Sequence, residues 1–140
     1  LVLIIQGLCD SFKQQLLQAV HNFDSDVIKL AMYDASSCTL TPSTTVYSST
    51  GEVTGTGYVA GGQTLTSQTV SSGQGVAWVD WADPSYTGAN FSADGALIYN
   101  STRANKAIMV LNFGTTRYFS GNTSLILPSP TSTSALLRLD

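Results

Sequence analysis

The stretch Asn90-Phe91-Ser92-Ala93-Asp94-Gly95-Ala96-Leu97-Ile98-Tyr99, a polar turn from Ser101 to Lys106, and then Ala107-Ile108-Met109-Val110-Leu111-Asn112-Phe113 decide the fold class. Short apolar and aromatic runs fenced by Asp-Gly or by Asn, Ser and Thr read as strands joined by turns. Two strands are expected before the turn, split at Asp94-Gly95, and the most apolar strand, a core candidate, after it. Upstream, Gly75-Val76-Ala77-Trp78-Val79-Asp80-Trp81 is apolar on both faces, as a central sandwich strand is, and Asp83-Pro84 ends it. Gln63 to Val70 is Thr-rich and β-prone, with a turn expected at Ser71-Ser72-Gly73.

Val27 to Tyr33 alternates with a period of two, placing Ile28, Leu30 and Met32 on one face and Lys29 and Tyr33 on the other. A loop with Pro42 and a short strand at Thr45 to Tyr47 precede Gly51, Gly55, Gly57, Gly61 and Gly62, a density that marks turns, bulges or close backbone approach. Ser124 to Leu127 and Ala135 to Leu139 add strands on either side of Pro128 and Pro130. At the other end, Asp10-Ser11 before Phe12-Lys13-Gln14 predicts a helix start near Ser11, its hydroxyl and Gln14 capping reciprocally. Phe12, Leu16, Ala19, Val20 and Phe23 then form one apolar stripe. The sum is a mainly β, jelly-roll-like antiparallel β-sandwich of about eight strands with one N-terminal helix. It fills a single domain over 1–140, with an apolar arm at 1–9, the helix within 10–23 and strands from 27 to 139.

Only 11% of the residues are charged, against about 25% in an ordinary soluble domain. Ser and Thr supply a quarter of all positions, so hydroxyls and amides carry solubility. Lys13, Lys29, Arg103, Lys106, Arg117 and Arg138 are scattered and the net charge is −3, which gives no positive stripe for a nucleic-acid backbone. The opening Leu1-Val2-Leu3-Ile4-Ile5 is too short to span a bilayer, so no membrane partner is expected. Those five residues form an apolar arm that the fold or a neighbour must cover, either as an edge strand or as a grip on another protein.

Catalytic and metal chemistry find little support. Cys9 and Cys38 match no metal-ligand spacing and read as two buried free thiols or a single bridge. His21 has no companion ligand and reads as a helix-surface or cap-side residue. Asp24 and Asp26 flank a turn, where local backbone bonding is favoured over a calcium cage. Asp80 and Asp83 bracket Trp81, but residues three apart on a strand point to opposite faces, so the carboxylates do not converge. The same parity sends Trp78 and Trp81 opposite ways, one to the core, and Trp81 is taken as the interface residue. Gly55-Thr56-Gly57-Tyr58-Val59-Ala60 mimics a dinucleotide fingerprint without the helix that must follow. Neither an enzymatic role nor a cofactor or metal is expected.

The runs Gly55-Thr56-Gly57-Tyr58, Ala77-Trp78-Val79-Asp80-Trp81-Ala82-Asp83, Gly95-Ala96-Leu97-Ile98-Tyr99-Asn100 and Leu111-Asn112-Phe113-Gly114, with Ile28-Lys29-Leu30-Ala31-Met32-Tyr33, resemble small virion proteins of tailed bacteriophages. The pattern is similar to that of the cement, or decoration, proteins on the outside of phage heads. That resemblance implies a structural virion protein on the outer capsid surface, a homodimer across two-fold axes, and the phage major capsid protein as partner. The candidate interface comprises Leu1, Val2, Leu3, Ile4, Ile5 and Trp81. A tail, neck or fibre component with a lectin-like, carbohydrate- or receptor-binding role is the alternative, suggested by Tyr58, Tyr86, Tyr99 and Trp81 among hydroxyls.

Overall fold

The alternating and doubly apolar runs become strands, and the amphipathic opening a helix, in the computed structural model, which describes residues 2–140. In chain order the elements are β1 (Leu3–Ile4), β2 (Gly7–Leu8), α1 (Asp10–Leu17), β3 (Ile28–Tyr33), β4 (Thr39–Leu40), β5 (Gln63–Thr64), β6 (Thr69–Gly73), β7 (Val76–Asp80), β8 (Ser85–Asn100), β9 (Lys106–Ser124) and β10 (Leu137–Leu139). With 47% strand and 6% helix, the class is mainly β, a sandwich-like fold with one N-terminal helix. A five-stranded antiparallel sheet runs β2-β9-β8-β3-β5, a three-stranded one β10-β7-β6, and β1 pairs parallel with β4.

One long hairpin, β8 with β9, organises the molecule. The expected break at Asp94-Gly95 is a β-bulge instead, the register slipping between Ala93 and Gly95 while the strand continues. Asp94 stays in the strand because its carboxylate is used: Oδ2 accepts the Ala35 amide at 2.8 Å and Oδ1 the Thr116 hydroxyl at 2.5 Å. Gly95 follows because a side chain there would strike the Leu111 carbonyl and Ile4. From Gly95 to Asn100 and from Ala107 to Leu111 every residue is buried, so this part of the sheet is covered on both faces. Beyond Asn112 most of β9 is exposed.

The tyrosine-bearing face of this sheet is covered by the glycine-rich loop. Tyr47 stacks on Tyr99 with ring centroids 4.8 Å apart, and the Tyr33 hydroxyl donates to the Ser48 carbonyl at 2.6 Å. Gly62, with φ +83°, lies so close to β3 that an added methyl would overlap the Leu30 carbonyl oxygen. Thr45 to Tyr47 forms only an isolated bridge, Val46 to Lys106, where a short strand was expected.

The helix is shorter than the stripe suggests. It ends at Leu17, and Ala19 adopts φ +59°. Cys9 is the N-cap, and the Ser11 hydroxyl is buried without a partner, so the reciprocal cap with Gln14 is not made. Pairing sets the entry: the Cys9 amide bonds to the Ile108 carbonyl and the Asp10 amide to that of Pro42, which leads the chain from β2 directly into the first turn. Phe23, beyond the helix, still packs edge-on against Phe12 at 6.1 Å, so the stripe is realised in space without helical continuity. Among the described residues no helix is long and apolar enough to cross a membrane.

Two glycines separate backbone strain from steric exclusion. Gly88 has φ +57° with open space around it, whereas Gly62 combines positive φ with the Leu30 contact. Gly88→Ala should destabilise by about 1 kcal/mol and Gly62→Ala by at least about 3 kcal/mol in equilibrium urea unfolding.

Candidate functional site

The most exposed regular structure is β6, Thr69-Val70-Ser71-Ser72-Gly73, all five residues open to solvent at the outer edge of the three-stranded sheet. The expected turn at Ser71-Ser72-Gly73 lies later: Gln74 and Gly75, with φ of 54° and 78°, form the reversal, and Ser71 to Gly73 remain strand paired with β7. A two-residue hairpin turn makes its flanking residues, Gly73 and Val76, mutual hydrogen-bond partners. Counting back by twos, Val70 and Ser72 direct their amides and carbonyls outward. Among the described residues nothing covers this edge, and β6 itself holds no charge and no proline.

Beside the edge, an apolar groove runs between α1 and the small sheet. Val70, Val79 and Leu137 stand in one cross-strand row and, with Phe12, Leu16 and Phe23, line it. Leu17, 92% exposed, projects from the end of α1, and Val70 and Leu139 are also exposed. On the far half of β9, Tyr118 is 81% exposed.

The arm is divided between fold and solvent. Leu1 lies outside the described residues. Leu3 and Ile4 pair with Thr39 and Leu40, Ile4 is buried, and Val2 and Ile5 are exposed. Gly7 and Leu8 pair with Val110 and Met109, so most of the arm is edge strand. Trp81 requires correction as an interface residue. It is 3% exposed, packs edge-on against Phe23 at 6.2 Å, and donates its indole N–H to Gln68 Oε1 at 2.7 Å. Parity holds, but the sides are reversed: Trp78 is the half-buried one, on the face of β7 opposite Val79.

His21 is neither on the helix nor at its surface. It is buried, with Nδ1 accepting from Asn100 Nδ2 at 3.0 Å and Nε2 facing Gln15 Oε1 at 2.9 Å. Asp26 Oδ2 receives Asn100 Nδ2 at 2.8 Å, Arg103 Nε at 3.0 Å and the Asn22 amide at 2.9 Å. Burial alone would raise the Asp26 pKa, yet the bonds from Arg103, Asn100 and Asn22 outweigh it and hold the group at about 2. Burial lowers that of His21, with Asp26 opposing and Lys106 and Arg103 assisting. Glu52 is similarly absorbed by the fold, accepting the hydroxyls of Tyr47 and Tyr58, each at 2.6 Å, and the Gly61 amide at 2.8 Å. Cys9 and Cys38 are buried free thiols, and burial pushes each up to about 11, which suppresses thiolate chemistry. Among the described residues no three or more His, Cys, Asp or Glu side chains are grouped to hold a metal. Comparison with protein-family models, curated proteins and solved structures finds no match.

The arrangement therefore offers contact surface: an unguarded strand edge, an apolar groove and isolated exposed apolar side chains. Sequence reading missed the edge because it placed the turn on the small residues Ser71 to Gly73. The available signal was Gln74-Gly75, whose glycine accepts the positive φ that this reversal demands.

Acid should lower the protein's stability in two steps. His21 has a lowered pKa, so its contribution is present above the unfolded value of 6.5 and is lost as pH falls through the lower folded one. Asp26 contributes above 3.8 and loses that contribution as pH falls toward about 2. Chemical denaturation across pH should show both declines, and Asp26→Asn should lower stability at neutral pH while flattening the second.

Proposed function

We propose that the chain is a structural virion protein of the cement class, binding the outside of a phage head and stapling neighbouring major capsid subunits as a homodimer. The observation that carries this reading is the unguarded β6 edge. Its outward groups are self-complementary. A two-fold axis through Ser71 sets Val70 against Ser72 of a second copy, forming reciprocal main-chain bonds at both pairs and no like-charge contact. The two three-stranded sheets then become one continuous sheet.

The weakly ionic surface supports the same reading, because a partner meets hydroxyls and methyl groups without stripping water from many charges. A dimer gripping two subunits also gains from effective concentration, since its second contact is intramolecular. Val2 and Ile5 are the arm residues free to touch a capsid. Ile4 is held inside, so single substitutions test the arm better than its removal.

The test uses purified expanded heads and the recombinant protein. Wild type should sediment as a dimer and saturate the heads. Val70→Lys, placing a charge on the edge, should sediment as a folded monomer with the far-UV circular dichroism of wild type. Its apparent affinity for heads should fall by about a hundredfold. Val2→Ser with Ile5→Ser should weaken attachment without altering the dimer. A dimer undisturbed by Val70→Lys rejects the seam, and wild type that leaves heads bare rejects the virion role.

A further inference from the structure

Among the described residues, the buried and half-buried phenols keep their hydroxyls bonded, with one exception. Tyr33 donates to the Ser48 carbonyl, Tyr58 to Glu52 and Tyr99 to the Gly61 carbonyl. Tyr86 is 5% exposed, and its Oη is buried without a protein partner. Gln63 Oε1 is in the same condition. Both residues line a single cleft of about 300 Å³, together with Tyr58, Val59, Ser85 and Thr87. Unpartnered buried polar atoms are unfavourable and uncommon in native folds. Two around one concavity match the pattern of a ligand site, in which a few polar groups converge between apolar walls.

The lining defines the ligand's chemistry. None of its residues is charged, so the ligand is neutral. Gln63 Oε1 can only accept, which calls for a ligand donor, whereas Tyr86 Oη can donate or accept. Ser85 and Thr87 are exposed and bring further hydroxyls. The volume lies at the lower end of small-molecule pockets, enough for one ring-sized molecule. Tyrosine side chains add apolar bodies with polar tips.

We propose that this cleft binds one neutral polyhydroxylated ring, a monosaccharide unit, with one hydroxyl donating to Gln63 Oε1 and another engaging Tyr86 Oη. Both protein atoms are covered in the free chain, so entry requires a side-chain rotation in the cleft wall. The site is independent of the β6 edge and of the virion role.

Isotope-labelled protein titrated with neutral monosaccharides to about 50 mM, each as free sugar and as methyl glycoside, tests the proposal by NMR. At least one sugar should shift the Gln63 side-chain amide saturably. Tyr86→Phe should raise the melting temperature by about 2–4 °C, because it removes an orphaned hydroxyl, and weaken binding roughly tenfold. Gln63→Met, distant in chemistry from the aromatic packing, should likewise weaken binding. Binding of both sugar forms assigns a glycan's terminal unit, and binding of the free form alone assigns a free sugar. The proposal is overturned if no sugar moves a lining resonance, or if Tyr86→Phe melts lower and binds undiminished.

Discussion

One buried amide sets where the longest strands reverse. Asn100, wholly enclosed at the end of β8, accepts the amides of Thr102 and Arg103 through Oδ1 at 3.1 and 3.2 Å, which shapes the turn into β9. Its Nδ2 binds Asp26 and His21, fastening that turn to the segment between helix and β3. An asparagine serves here because one side chain presents acceptor and donor groups in opposite directions. Replacing it with an apolar residue would orphan the Asp26 carboxylate on one side and two turn amides on the other. The register of β8 against β9, and of β3 against β8, follows from this anchor, since Ile28 pairs with Asn100 itself.

The hairpin then divides into two physical regimes. Its near half is enclosed on both faces, by tyrosine-tethered loop on one side and by helix and aromatic packing on the other. Its far half has fewer neighbours. Phe91 and Phe119 stack there at 4.8 Å, with Tyr86 edge-on to both, while Tyr118 and Arg117 face water. Bulges between Tyr86 and Ala89, Ala93 and Gly95, and Ile98 and Tyr99 let one pair of strands serve both regimes, because each slip bends and twists the ribbon.

Much of the fold was legible in local pattern. The alternation from Ile28 to Tyr33, the doubly apolar Val76 to Asp80, and the Ala107 core strand all appear where side-chain period places them. What failed was set by distant contacts. Asp94-Gly95 has the composition of a turn, and the Ala35 amide, the Thr116 hydroxyl and the pairing of Gly95 with Tyr33 and Asn112 hold it in strand. The apolar stripe from Phe12 to Phe23 fits a helix throughout, yet packing places Phe23 equally well beyond a helix ending at Leu17. Trp78 and Trp81 were separated correctly by parity, while Gln68 and Phe23, both distant in sequence, decided which one lies inside. The candidate edge was the least legible element: Gln74-Gly75 marks the reversal, but which of the two strands it joins lies outermost depends on sheet order.

A low-charge chain that leaves a strand edge open also incurs a hazard. Most proteins protect such an edge with lysine, proline or a covering loop, since an unpaired edge recruits any compatible strand. The short length of β6 limits that hazard, and so does its composition, rich in Ser and Gly, which gives little affinity beyond main-chain bonds. In the proposed dimer the edge is closed by its two-fold mate and is no longer free to recruit other strands, and the dimer's own contacts to an ordered shell would gain from high effective concentration. Under that proposal, repetition over many identical sites would turn a modest contact into a stable layer, because each copy would shift the assembled state by mass action.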